Sequence, residues 1–145
     1  MIVANGDPPD RETAHRYASH ADLLLAADGG AHHALALDLV PHVVIGDLDS
    51  LTEDGQARLR SAGARFITHP KAKDETDLEL ALTYAIQQGA EEILILGALG
   101  GRLDHTLANL LLLTNPSLEG VAVRIADELA THVQRQLECH AAERQ

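Results

Sequence analysis

The feature that most restricts this chain is an alternation. Short apolar runs of β character recur with helix-like segments between them, at Ile2 to Ala4, Leu23 to Ala27, Val43 to Ile45, Arg65 to Thr68, Ile93 to Leu96 and Val121 to Ala126. Such an order predicts a parallel sheet wrapped by helices. The runs at 23–27 and 93–96 are continuous rather than alternating in polarity, as expected for strands covered on both faces, and are the candidates for central strands. The predicted fold is α/β: a doubly wound, mostly parallel six-stranded sheet, Rossmann-like, with helices on both faces.

The helices can be read from their faces. Leu78, Ala81, Leu82, Ala85 and Ile86 fall at i, i+3, i+4, i+7 and i+8 of a segment starting near Thr76, and Gly89 supplies the stop. A second helix is predicted from about Leu103 to Thr114, with Leu103, Leu107, Leu110 and Leu111 on one face and Asn115-Pro116 closing it. Ser50 with Glu53 has capping-box spacing for a third, which ends at Gly63.

Composition narrows the function. The 145 residues are a one-domain length, and 11 Lys plus Arg against 22 Asp plus Glu leave a formal charge of −11. That charge argues against a nucleic-acid or anionic-lipid partner gripped across a broad basic surface, so any phosphate must be held through cations or local dipoles. No apolar run approaches the roughly 18 to 20 residues of a membrane helix, and from the strand-like start at Met1 no signal peptide is expected. The lone Cys139 forms no intramolecular disulfide, which fits a reducing, cytoplasmic compartment. Tyr17, Tyr84 and Phe66 are too few for a base-stacking platform.

The carboxylates and glycines cluster just after the predicted strands: Asn5-Gly6-Asp7, Asp28-Gly29-Gly30, Gly46 to Ser50, Lys73 to Asp77, and Gly97 to Asp104. In an open parallel sheet the ligand crevice lies at the carboxyl ends of the strands, so these segments are expected to converge on one rim. Each alone could be a turn or a helix cap. Asp47 and Asp49 weigh against that plain reading, because i and i+2 of an extended segment project to the same side and their charges repel. A hard divalent ion such as Mg²⁺ would resolve the repulsion, and Asp74 with Asp77 repeat the idea at i and i+3.

The turn Gly97-Ala98-Leu99-Gly100-Gly101-Arg102 could hold a phosphate on freed backbone amides at a helix N-terminus, with the Arg102 guanidinium beside it. It matches neither the P-loop nor the dinucleotide fingerprint. The nine His residues show no zinc-protease spacing and read as surface or capping residues.

Taken in order, Ala27-Asp28-Gly29-Gly30-Ala31, Val44 to Ser50, Lys73 to Glu79 and Gly97 to Asn109 resemble the successive signatures of the thiamine pyrophosphokinases, over roughly Ile2 to Asp127. The resemblance implies transfer of a pyrophosphoryl group from ATP to the hydroxyl of thiamine, with Mg²⁺ as cofactor, giving thiamine diphosphate and AMP. It implies Asp47, Asp49 and Asp77 as leading magnesium ligands, with Asp28 lining the same acidic site. Asn5, Gly6, Asp28, Gly29, Gly30, Lys73, Gly97, Gly100, Gly101, Arg102, Asp104 and Asn109 become the expected nucleotide contacts, and Asp49, Asp77 and Arg102 the catalytic set. Members of that family continue into a second, β-sandwich domain that helps bind thiamine and build a homodimer. Here residues 1–126 are expected to form the catalytic domain, with a polar tail at 127–145, helical or frayed rather than stranded, in place of the second domain.

Three other functions fit parts of the pattern. Asp47-Leu48-Asp49-Ser50-Leu51 approximates the nucleophile loop of a haloacid-dehalogenase-type phosphatase, although Gly46 before it and the lack of a later paired-acid motif count against this. Pyrophosphoryl transfer to a pterin alcohol would use a similar rim. An inactive nucleotide-binding remnant would keep the crevice alone.

Overall fold

The computed structural model describes residues 1–68 and 75–126 in full and the backbone of residues 131–135. The strands are β1 (Ile2–Val3), β2 (Leu25–Ala27), β3 (Val43–Ile45), β4 (Arg65–Ile67), β5 (Glu92–Leu96), β6 (Ala122–Ala126) and β7 (Thr131–Arg135), in the sheet order β4-β3-β2-β1-β5-β6-β7. The first six pair in parallel and β7 pairs antiparallel to β6. The chain builds outward from β1 to β4, then crosses back to lay β5 on the other side of β1. That reversal opens a crevice beyond the carboxyl ends of β1 and β5, because the connections leaving them turn to opposite sides.

The helices are α1 (Arg11–Ala18), α2 (Gly30–Ala36), α3 (Glu53–Ser61), α4 (Asp77–Gln87) and α5 (Leu103–Leu112). Adjacent residues of one strand point to opposite faces. Ile2 accordingly packs in one cluster with Leu25, Ile95 and the α4 residues Leu78, Ala81, Leu82 and Ala85. Val3 packs in another, with Ala14 of α1 and Ala34 of α2, and Val44 meets Leu59 of α3 on that same side of the sheet. Both faces are thus covered by helices, as the continuous apolar strands require.

The structure corrects three expectations. The tail carries β7, which was predicted as helix or frayed chain; Thr131 and Val133 alternate with polar residues, a weak period-two signal that the surrounding charges obscure. The cap of α3 is Thr52, whose Oγ1 accepts the Gly55 amide at 3.0 Å, rather than Ser50. The leucine face predicted for α5 is not a buried face. No α5 residue is fully buried, and Leu103, Leu107 and Leu111 are 82%, 54% and 58% exposed, while Leu110 and Leu112 lean on the core.

Candidate functional site

Backbone contacts at the ends of β1 and β5 create the site. The Gly6 amide donates to Gly97 O at 2.5 Å and the Asp7 amide to Leu99 O at 2.8 Å, so the loops leaving the two strands run side by side. Gly97 holds φ +71°, and a Cβ there would stand 2.7 Å from Ala4 O, so an L side chain would be strained by both conformation and contact. The loop leads into α5, whose N-cap, Arg102, makes no side-chain capping bond.

Between these loops and the start of α4 lies a cleft of about 240 Å³, lined by Asn5, Gly6, Asp7, Asp28, Thr76, Asp77, Gly100, Gly101, Arg102, His105, Ala108 and Asn109 among others. Thr76 opens α4 with a reciprocal capping box: its Oγ1 accepts the Glu79 amide at 3.2 Å and its own amide donates to Glu79 Oε2 at 2.7 Å. This fixes Asp77 as the first residue of the helix, and a Cβ on Gly46 would lie 2.6 Å from Asp77 Oδ2. The end of β3 and the start of α4 therefore meet at a carboxylate.

Asp28 follows β2 with φ +50°, a left-handed conformation that an Asp tolerates; Asp38 holds φ +53° as well, so the angle alone does not mark function. The electrostatics are more telling. Desolvation raises the Asp28 carboxyl above its ordinary value, and the charges of Asp47 and Asp49 push it the same way, against the Gly29 amide and His105. Asp47 and Asp49 do not line the cleft, yet they share one electrostatic field with Asp28.

Their loop is not the extended segment expected. It turns after Gly46, and Asp47 Oδ1 accepts the Asp49 amide at 3.2 Å, which breaks the i, i+2 alternation. Among the described residues no group of three or more His, Cys, Asp or Glu side chains is arranged to hold a metal ion.

The α5 wall is better ordered. Arg102 Nε and Nη2 donate to Asp104 Oδ1 and Oδ2 at 3.2 and 2.8 Å, a bidentate pair on the surface. Desolvation acts to raise the Asp104 carboxyl, but the Arg102 hydrogen bonds and charge outweigh it and hold it below its ordinary value. Asn109 Nδ2 donates to Ala98 O at 2.9 Å and Thr106 Oγ1 to Gly100 O at 3.1 Å, so two side chains tie the helix to the glycine loop.

Of the residues singled out from the sequence, Asn5, Gly6, Asp28, Asp77, Gly100, Gly101, Arg102 and Asn109 meet in the cleft. Gly29 caps α2 and Gly30 begins it, packed so close to Val3 O that no Cβ fits. Asp104 faces Arg102 outside the lining, and Lys73 and Asp74 lie outside the described residues. Asp7 and Thr76 fall in segments that the sequence placed on the rim without a ligand role, and His105 was counted with the surface or capping histidines. The signal for His105 was present: Arg102, His105 and Asn109 share one helix face at i, i+3 and i+7.

The chain is matched over residues 14–125 by the family "Thiamin pyrophosphokinase, catalytic domain". It is 33% identical over 133 residues to thiamine pyrophosphokinase of Bacillus subtilis, covering 92% of this chain and 62% of that one. The crystal structure of that enzyme superposes with a TM-score of 0.71 at 31% identity, over 87% of this chain and 59% of the other. A thiamin pyrophosphokinase family protein of Enterococcus faecalis gives 0.70 at 35% identity, over 87% and 60%. The chain thus spans about three fifths of the length of these relatives.

Proposed function

The chain belongs to the thiamin pyrophosphokinase catalytic-domain family, and from that premise we propose that it transfers the pyrophosphoryl group of ATP to the hydroxyl of thiamine, giving thiamine diphosphate and AMP. The observation that carries this reading is the two-sided cleft at the β1/β5 reversal, with Asp28 and Asp77 on one wall and the glycine loop with Arg102 on the other.

Phosphoryl transfer requires little covalent chemistry of a protein; positioning and charge stabilisation supply most of the rate. In this reading the backbone amides of Gly100 and Gly101 and the Arg102 guanidinium bind the phosphate chain, and the Asn109 bond to Ala98 O keeps helix and loop in register. Asp77 lines the cleft and Asp49 does not, so Asp77 is the better placed of the two to accept the alcohol proton.

The cofactor of this proposal is Mg²⁺. The donor set suits it: a carboxyl at Asp28 whose proton affinity is raised by burial and by the charges of Asp47 and Asp49 favours a hard cation, and Mg²⁺ takes one or two carboxylates together with water and substrate phosphates, without a full protein cage. Asp28 and Asp77, with Asp47 and Asp49 beside them, would hold it, and it would neutralise charge on the transferring group.

ATP and thiamine are the partners of this proposal, the cytoplasm is the compartment that a single cysteine in 145 residues suits, and a homodimer is the expected assembly. Among the described residues no helix is long and apolar enough to cross a membrane.

The test is to incubate the chain with ATP, Mg²⁺ and thiamine and to identify the products by chromatography. AMP with thiamine diphosphate supports the reading. Inorganic phosphate released from simple monoesters would instead favour a phosphatase with Asp47 as nucleophile.

A further inference from the structure

We propose that the His105 imidazole contacts the phosphate chain of the bound nucleotide, donating a hydrogen bond to one of its oxygens. The inference rests on the nucleotide reading of the cleft and adds a ligand contact to it.

Three observations carry it. His105 lines the cleft from the third residue of α5, on the face that also carries Arg102 and Asn109. Among the described residues, three carboxylates line the same cleft, Asp7, Asp28 and Asp77, and Arg102 and His105 are the lining side chains that can carry positive charge. Arg102 already spends two donors on Asp104, at 3.2 and 2.8 Å. His105 is exposed, and its ring makes no hydrogen bond with any described residue, although its charge is felt by Asp28 across the cleft.

A polyphosphate entering this space meets a wall of negative charge on one side. On the other it meets glycine amides with the Asp7 carboxylate against Gly100, a partly committed guanidinium and one ring N–H that no described residue takes up. A neutral imidazole keeps one N–H and the cation keeps two, so the contact does not depend on protonation. The competing role is structural: His105 could serve only to balance Asp28 when no ligand is bound. That role predicts a change in metal-free stability on substitution and none in nucleotide affinity.

Calorimetry of the full chain with Mg²⁺-ATP separates the two, using His105→Ala and His105→Gln. A hydrogen bond to a charged group predicts that His105→Ala binds Mg²⁺-ATP about tenfold more weakly or worse. His105→Gln keeps an N–H donor and should recover most of the affinity. Inorganic tripolyphosphate with Mg²⁺, used as competitor, should lose affinity for His105→Ala in parallel, and the melting temperatures of all three proteins should agree.

AMP formation measured on the same samples keeps this inference distinguishable from the reaction it rests on. A weaker His105→Ala in a wild type that makes no thiamine diphosphate keeps the contact and rejects the reaction. Normal AMP formation with unchanged Mg²⁺-ATP affinity in His105→Ala rejects the contact and keeps the reaction. A wild-type chain that binds no Mg²⁺-ATP overturns both.

Discussion

The helices α4 and α5 lie on the same face of the sheet, begin at the same rim and carry the same leucine-rich periodicity, yet they are held in different ways. α4 starts from a capping box and buries Leu78, Leu80, Ala81, Leu82 and Ala85. α5 starts from Arg102 without a capping bond, buries no residue fully, and turns Leu103, Leu107 and Leu111 outward. At about 100° per residue this leucine stripe sits roughly 120 to 160° around the helix from the cleft-lining His105. The difference teaches that a 3.6-residue period reports the presence of a helix with an apolar side, and says nothing of what covers that side. α4 is the structural member of the pair, and α5 is pinned mainly through its polar contacts with the glycine loop.

The largest effect that would break this comparison is in the core. Leu82→Ala empties a fully packed site, so it should cost about 2 to 5 kcal/mol, whereas Leu107→Ala on the open side of α5 should stay within about 0.5 kcal/mol. Urea denaturation of both variants checks this. Equal losses would mean that something in solution covers the α5 stripe as firmly as the sheet covers α4.

Next in size is a functional effect at the start of α4. Asp77→Asn keeps the shape and the favourable position at the helix N-terminus, and removes a charge from the rim. Turnover of ATP and thiamine should fall on the order of 100-fold or more, since a group that holds a metal or accepts a proton is worth several kcal/mol in the transition state. Far-ultraviolet circular dichroism should be unchanged. An active Asp77→Asn would leave the carboxylate as a favourable charge in the first turn of α4 and nothing more.

A smaller pair of changes tests the two N-termini directly. Thr76→Ala removes half of a capping box and should cost about 1 kcal/mol. Arg102→Ala removes an exposed side chain that caps nothing, so stability should move by less than about 0.5 kcal/mol while Mg²⁺-ATP affinity collapses. Thermal melts and calorimetry on each variant give both readouts. Loss of stability in Arg102→Ala would show that its pair with Asp104 is structural.

Much of this was legible in the residues. Continuous apolar runs at 23–27 and 93–96 mark strands beside the sheet centre, flanking β1, because only strands covered on both faces can be apolar throughout. The rim was legible because glycines and carboxylates after strands have few other reasons to recur, and Asp28, Asp77 and Arg102 do meet there. The turn at Asp47 to Asp49 was not, since the choice between an extended segment and a side-chain-capped turn depends on the single hydrogen bond from the Asp49 amide. The strand β7 was obscured because an edge strand needs apolar residues on only one side. His105 escaped notice because it was weighed as a metal ligand rather than as a member of the Arg102 helix face.

The smallest expected effect concerns Asp28, and its sign is the informative part. Its folded-state carboxyl is raised by desolvation and by Asp47 and Asp49, so between the ordinary Asp value and the raised one the folded chain binds more protons than the unfolded chain. Stability then falls as pH rises through that window, and stays lower above it. Asp28→Asn removes the proton site and the repulsion together. In the presence of EDTA the variant should melt slightly higher than wild type at neutral pH, and the advantage should vanish as the pH falls below the ordinary carboxylate value. His105 acts on Asp28 in the opposite sense, and Asp28 is only half-buried, so solvent screening keeps the gain small. Added Mg²⁺ should reverse the order, because a bound cation stabilises the wild-type carboxylates and the amide offers it less. A wild type that stays less stable than Asp28→Asn even with saturating Mg²⁺ would show that the carboxylate wall opposite α5 does not hold the metal.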